Sequence, residues 1–204
     1  MAKQHTLESL IVPALALVEF SSIAAGIESA DAMVKKAPIK LIRSGTVQPG
    51  KYLVLIGGEV ADVEESLAAG KLVGGGNVVD TVYLPQVHVE VVKALAGGRV
   101  PDREDAVGII ETTTVAAAIH AADAGVKGAL VRLLEVRLAD GLGGKGITLF
   151  SGLIADVEAA VEIGIGVLER GNLLVRKVVI PQMHPAMWEN LSAATRFHER
   201  MGDG

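Results

Sequence analysis

The sequence predicts an α+β protein made of two tandem copies of one ferredoxin-like βαββαβ unit, each an antiparallel sheet with helices on one face. Three observations predict this fold. Four sequence blocks occur twice in the same order, apolar segments alternate between strand and helix periodicity in each copy, and Gly- and Pro-rich stretches separate the segments.

The internal repeat is the strongest of these observations, and it is visible without an alignment. The offset between the copies grows from 92 to 94 to 96 residues, which indicates two small insertions in the second copy. The matched blocks are Glu19–Ile27 with Glu111–Ile119, Ala30–Lys35 with Ala122–Lys127, Ala61–Glu64 with Ala155–Glu158, and Pro85–His88 with Pro181–His184.

The repeat divides the chain into two units of the size of small domains. We expect a tail over residues 1–12, a first domain over 13–97, a linker over 98–105, and a second domain with a C-terminal helix over 106–204. The linker prediction rests on its Gly, Pro and charged residues.

The first unit contains each predicted element in order. Ser21 and Ser22 offer helix-capping oxygens, Pro38 ends the first helix, and the Gly74–Gly76 run ends the second. The predicted elements are a strand Ala14–Phe20, a helix Ile23–Lys36, strands Ile39–Arg43 and Tyr52–Ile56, a helix Val60–Val73, a strand Val78–Leu84 and a helix Gln86–Leu95.

The second unit has the same order of elements. They are a strand Val107–Glu111, a helix Val115–Lys127, strands Val131–Arg137 and Ile147–Phe150, a helix Ile154–Leu168 and a strand Leu173–Ile180, followed by the C-terminal helix.

Composition excludes several classes of function. The 204 residues are 50% hydrophobic but only 3% aromatic, which is typical of a small-residue core and of surface buried in an oligomer. The net charge of -5, without a basic run, argues against nucleic-acid binding. The absence of cysteine excludes disulfides, thiolate nucleophiles and Cys-ligated metals.

An apolar segment near the N-terminus raises the question of a secretion signal or membrane span. Leu10–Val18 is interrupted by Pro13, is ended by Glu19, and is too short to cross a bilayer. We therefore interpret it as a strand and expect no membrane partner.

Together the repeated blocks, the Gly-rich hairpin loops and the duplicated Pro-Gln-x-His motif resemble bacterial microcompartment shell proteins of the tandem-domain, non-permuted type. The resemblance covers nearly the whole chain, once per repeat. It implies a homotrimer that forms a pseudohexameric tile, packs edge to edge with hexameric and pentameric tiles in a cytoplasmic shell, and passes metabolites through a central pore. Encapsulated enzymes are then indirect partners.

The resemblance also assigns roles to individual residues. It implies that the loops between the second and third strands line the pore and that Lys35 and Lys127 contact neighbouring tiles. The pore residues are Gln48, Pro49, Gly50, Leu142, Gly143 and Gly144. Ordinary hairpin turns and solvated helix-end lysines are the alternatives.

No cofactor, metal or enzymatic activity is expected. Some tandem relatives hold an iron–sulfur cluster through cysteine, which this chain lacks. We interpret His88 and His184 as capping or packing residues rather than ligands, and Gly141–Gly146 lacks the spacing of a phosphate-binding loop. The alternative function is a trimeric ferredoxin-like regulator that binds a small molecule.

Overall fold

A computed structural model describes residues 12–97, 105–168 and 172–193. Most of the predicted tail (1–12) and linker (98–105) therefore lies outside the described residues. The expected duplication is present, because each unit contains four strands in the same order with helices between them.

The first unit follows the predicted order. Three elements, β1, α1 and β4, have the predicted bounds. The elements are β1 (Ala14–Phe20), α1 (Ile23–Lys36), β2 (Leu41–Val47), β3 (Lys51–Gly58), α2 (Val60–Gly74), β4 (Val78–Leu84) and α3 (Val89–Leu95).

The second unit repeats this order. Its elements are β5 (Ala106–Thr112), α4 (Val115–Gly128), β6 (Arg132–Leu138), β7 (Gly146–Gly152), α5 (Ile154–Gly166), β8 (Leu174–Pro181) and α6 (Pro185–Ala193).

Both sheets have the strand order expected of the split βαβ plan. The orders are β2-β3-β1-β4 and β6-β7-β5-β8, with antiparallel pairing throughout. The predicted fold class, two tandem α+β units, is confirmed.

Helix starts follow the predicted capping chemistry. The hydroxyl of Ser22 accepts a hydrogen bond from the Ala25 amide at the start of α1, and Thr114 does the same for Ala117 at the start of α4. The N-caps lie at matched positions because the two copies share this part of the sequence.

Two element ends differ from the prediction by more than two residues. Strand β2 extends to Val47, beyond the predicted end at Arg43, because Ser44, Gly45 and Thr46 pair with β3. Helix α3 begins at Val89 rather than at residue 86, because the ring of His88 caps it by accepting the Glu90 amide. Polar and glycine residues are tolerated in β2 because it is an edge strand with mostly exposed side chains.

The central strand β1 is buried on both faces. Ala16 and Val18 lie on the face that packs against α1 and α2, where they cluster with Met33 of α1. Leu15 and Leu17 belong to the core on the other side. In the second unit Trp188 of α6 packs on this second side of the sheet. The terminal helix of each unit thus lies across the sheet from the other two helices, so the prediction that the helices lie on one face of each sheet is wrong for α3 and α6.

Candidate functional site

The two loops predicted to line a pore come together within one chain. A Cβ placed on Gly144 would lie 2.9 Å from Cδ of Pro49 and 3.5 Å from the carbonyl oxygen of Gln48. Gly144 also has a φ of 88°, so a side chain at this position would be both strained and obstructed. The contact between the loops therefore requires glycine at position 144.

The loops differ in length, and this difference accounts for the first insertion in the repeat. Gln48–Gly50 closes a tight turn in which the Gly50 amide donates to Val47. In the second loop the Ala139 amide donates to Lys145, so Asp140–Gly144 forms a five-residue excursion where the first unit has three residues. The insertion thus places two extra residues in the predicted pore loop itself.

A lysine at the base of each loop forms an ion pair with the strand behind it. The Lys51 ammonium lies 2.5 Å from Oε1 of Glu19, and Lys145 lies 2.5 Å from Oε1 of Glu111. Glu19 is fully buried, whereas the side chain of Glu111 is 30% exposed. The same ion pair therefore occurs once covered and once open.

The second unit is what covers Glu19. Its Oε2 accepts a hydrogen bond of 2.9 Å from the Val115 amide, the first residue of α4. A carboxylate at a helix N-terminus satisfies a free amide and complements the positive end of the helix dipole. Glu19 therefore links the predicted pore loop of the first unit to the helix of the second.

The face of α4 that meets the first unit is buried. Ile119 is 0% exposed, and Val115 and Val126 are also buried. The counterpart of Ile119 in α1 is Ile27, which is 52% exposed. Helix α1 thus has the same apolar face as α4 but no partner covering it among the described residues.

The surface of the first unit that covers α4 is formed by β4 and α3. Val82 and Val91 are buried in this contact. In the second unit Val91 corresponds to Met187, which is 58% exposed. The surface formed by β8 and α6 is therefore the uncovered counterpart of the one formed by β4 and α3.

A polar contact marks the same interface. The His88 amide donates a 2.8 Å hydrogen bond to Oδ1 of Asp123, whose side chain is 5% exposed. The matched residues lie one on each uncovered surface, His184 at the start of α6 and Asp31 on α1, and the side chain of Asp31 is 59% exposed. Both histidine rings cap their own helices, as predicted.

The predicted tile-edge lysines lie in the last turns of α1 and α4. Lys35 pairs with Asp31 at 2.6 Å, and Lys127 pairs with Asp123 at 2.5 Å. The neighbouring Lys36 pairs with Glu65, and this hydrogen bond, together with the positive charge, lowers the pKa of Glu65 below its ordinary 4.5. The ends of these helices are therefore held by local ion pairs.

Sequence reasoning did not identify the residues that join the units. The sequence alone assigns no role to Glu19, Glu111 or Asp123. A signal was present, because both copies place a glutamate in an otherwise apolar strand and a lysine directly after the loop. Within the described ranges, none of the helices has the length and apolarity needed to cross a bilayer.

Comparison with known proteins agrees with the duplication. A family profile described as "BMC domain" matches residues 14–87 and again 106–183. The chain is 40% identical to the bacterial microcompartment shell protein PduT of Citrobacter freundii over 178 residues, which cover 87% of this chain and 97% of that protein. It is 34% identical over 87 residues to the shell protein PduA of the same organism, covering 42% of this chain and 94% of PduA.

A solved structure shows the same similarity. The crystal structure of a microcompartment protein from Desulfitobacterium hafniense aligns with a TM-score of 0.77 and 42% identity, covering 86% of this chain and 98% of that one. The chain is thus related to microcompartment shell proteins and belongs to the BMC-domain family, as a tandem, non-permuted member with two copies of the domain.

Proposed function

We propose that the protein is a structural component of a bacterial microcompartment shell. Three chains close into a pseudohexameric tile with a pore at its centre. The observation that carries this proposal is the pair of unmatched surfaces: each chain exposes on α1 what it buries on α4, and exposes on β8 and α6 what it buries on β4 and α3.

The two exposed surfaces correspond to the two surfaces that pack against each other within the chain, so we expect them to fit each other in the same way. The exposed face around Ile27 matches a face that packs on β4 and α3, so β8 and α6 of another chain are its expected partner. A contact of this kind is head-to-tail, and repeating it generates a closed ring when the rotation between units closes. Domains of one size, two per chain, fill a six-unit ring with three chains.

The same correspondence supplies the polar contacts of the new interface. In the proposed ring Glu111 would accept the Ile23 amide of the next chain, as Glu19 accepts the Val115 amide within this one. The His184 amide would donate to Asp31 of the next chain, as the His88 amide donates to Asp123. Closing the ring would then bury Glu111, whose side chain is now 30% exposed.

The pore proposal rests on where the loops would lie in this ring. Contact between Gly144 and Pro49 brings the short and long loops of one chain together, and ring closure would repeat the pair three times around an axis. Gln48 would contribute an amide from each chain, and the Gly-rich long loop would contribute backbone N–H groups, both suited to polar metabolites. We infer no chemical step on the metabolite, so the role is passive.

Other shell components complete the proposal. Lys35 and Lys127 lie in the last turns of α1 and α4, and their side chains are 72% and 42% exposed, which supports a role in edge contacts with neighbouring tiles. We take residues 13–97 and 106–204 as the two domains of the tile.

The test is a substitution on the uncovered helix face. Ile27→Glu places a charge where the next chain is expected to pack, so the trimer should dissociate into folded monomers of 21.1 kDa. Sedimentation velocity measures the mass and circular dichroism the fold. Leu72→Glu, at an 84% exposed leucine on α2, is the matched control and should remain trimeric. An unchanged trimer in the Ile27→Glu variant would contradict the proposed interface.

A further inference from the structure

The two units differ in charge at one equivalent place on their surfaces. This place is the part of the surface where the C-terminal end of the first helix of each unit lies close in space to the N-terminal end of the second helix. A Cβ on Gly58 would lie 3.3 Å from the Lys40 amide nitrogen, and one on Gly152 would lie 3.2 Å from the Leu130 carbonyl oxygen. We call these junctions the charged corner, in the first unit, and the apolar corner, in the second.

The charged corner is held by two ion pairs. Lys36, the last residue of α1, pairs with Glu65 at 2.8 Å, and Lys40 pairs with Glu59, the N-cap residue of α2. All four side chains are half or more exposed to solvent. The charged corner is thus a hydrated surface on which each charge already has a partner.

The apolar corner lacks these four charges. Gly128 ends α4 where Lys36 ends α1, Leu153 is the N-cap residue of α5 where Glu59 is that of α2, and Ala159 replaces Glu65. Leu130 follows the helix where the first unit has Pro38, and no residue corresponds to Lys40. Leu130 is 87% exposed and Leu153 is 58% exposed.

Neither unit-to-unit contact covers these corners. The second unit already contacts its neighbour through α4, yet Leu130 remains exposed. The first unit already contacts its neighbour through β4 and α3, yet Lys40 and Glu59 remain exposed. The proposed ring uses only these two contact surfaces on each unit. All six corners therefore stay exposed at the outside of the ring when it closes.

We propose that the apolar corner of one trimer packs against the apolar corner of a neighbouring trimer of the same chain. The six edges of the tile are then of two kinds, three that self-associate through Leu130 and Leu153 and three that do not. This inference rests on the proposed trimeric tile and adds to it which edges meet.

The charges of the charged corner make it a less favourable partner for the apolar corner than a second apolar corner would be. Packing Leu153 on the charged corner would remove water from two ion pairs without giving any of their charges a new partner, which is unfavourable. Packing it on a second apolar corner removes apolar surface from water on both sides and desolvates none of these charges. A contact of a patch with its own copy is also the isologous arrangement that twofold-related neighbours form.

Arg132 and Lys127 are the charged residues nearest to Leu130 in the sequence, and Arg132 has an interaction partner of its own. Lys127, in the last turn of α4, does not oppose this contact either. Its ammonium pairs with Asp123, which is buried beneath it. The charge is therefore balanced within the unit before two corners meet.

The experiment uses the absence of cysteine from the chain. Full-length Leu153→Cys and Glu59→Cys proteins carry one thiol each, at equivalent N-cap positions. Each protein, and a mixture of the two, is assembled at high concentration, oxidised, and analysed by denaturing electrophoresis, with electron microscopy of the assemblies. Native mass spectrometry of each variant before assembly reports separately on the trimer.

We expect assembled sheets of Leu153→Cys to give a covalent dimer. Sheets of Glu59→Cys should give no dimer, and the mixture should give no dimer that joins the two variants. A mixed dimer alone would overturn the proposal, because apolar and charged corners would then meet. Intact trimers that give no dimer at position 153, or that form no sheets, would overturn it as well. Monomers in the native spectrum would instead refute the proposed tile.

Discussion

Glu19 shows how one side chain can serve two units at once. Its carboxylate holds Lys51 at the base of a loop with one oxygen and caps α4 of the other unit with the second. A buried carboxylate is tolerated only when its oxygens are satisfied, and here both have partners. The position of the loop is thereby coupled to the packing of the two units.

Removing this carboxylate should cost much more stability than removing its counterpart. In the monomeric Ile27→Glu background, Glu19→Ala leaves a buried amide and a largely buried ammonium unpaired, so we expect a loss of about 2–3 kcal/mol. Glu111→Ala removes a more exposed pair and should cost less than about 1 kcal/mol. Urea denaturation measures both free energies of unfolding, and equal losses would contradict the role of Glu19 between units.

The sequence could predict residues that act locally, but not those that act across units. Ser22, Thr114 and the two histidines cap their own helices, and capping depends on neighbours only two or three residues away. Glu19 and Asp123 are explained by partners in the other unit, 96 and 35 residues distant. No local pattern specifies such a partner.

The helices of each unit pack closely because glycine lies where they cross. A Cβ on Gly164 of α5 would come within 2.8 Å of Cδ1 of Ile110 and 3.0 Å of the Ala121 carbonyl oxygen in α4. Backbone atoms cannot give way as side chains do. The low aromatic content of the chain is consistent with such close backbone approach.

Two alanine substitutions in α5 should therefore have opposite effects. Gly164→Ala must separate α5 from α4 and should destabilise the protein by about 1–3 kcal/mol. A Cβ on Gly166 would meet no described atom within 4 Å, so Gly166→Ala should be neutral or stabilise the helix by about 0.5 kcal/mol. Thermal denaturation of both variants checks this, and a stabilising Gly164→Ala would contradict the packing described.

At the scale of elements, periodicity predicted order and type better than ends. β1, α1 and β4 were predicted to the residue because capping serines or breaking residues bound them. The end of β2 was missed because Ser44–Gly45–Thr46 has the composition of a turn, while pairing with β3 determines its structure.

At the scale of the whole molecule, two departures from the symmetry of the repeat bear on the proposed tile. One is the loop after β6, which carries two more residues than its counterpart. The other is the pair of corners, one charged and one apolar. Three chains in a ring would present each departure three times, which six identical subunits could not do.

The position of the predicted pore loops can be tested in the proposed trimer. In the proposed tile the three copies of Gln48 surround one axis, so a tris-maleimide should join Gln48→Cys chains into a covalent trimer on denaturing gels. Leu72→Cys, with its thiol on exposed α2, should give no covalent trimer. Absence of the Gln48→Cys product from intact trimers would place the loops away from the axis.

The most direct test of the central claim, that each chain exposes the two halves of one interface, is the native mass of the unmodified protein in dilute solution. Three chains of 21.1 kDa give a closed ring of 63.3 kDa. We predict this species, without a ladder of larger oligomers, because a closed ring leaves neither half exposed. A stable 21.1 kDa monomer, or an open-ended series of oligomers, would contradict the claim.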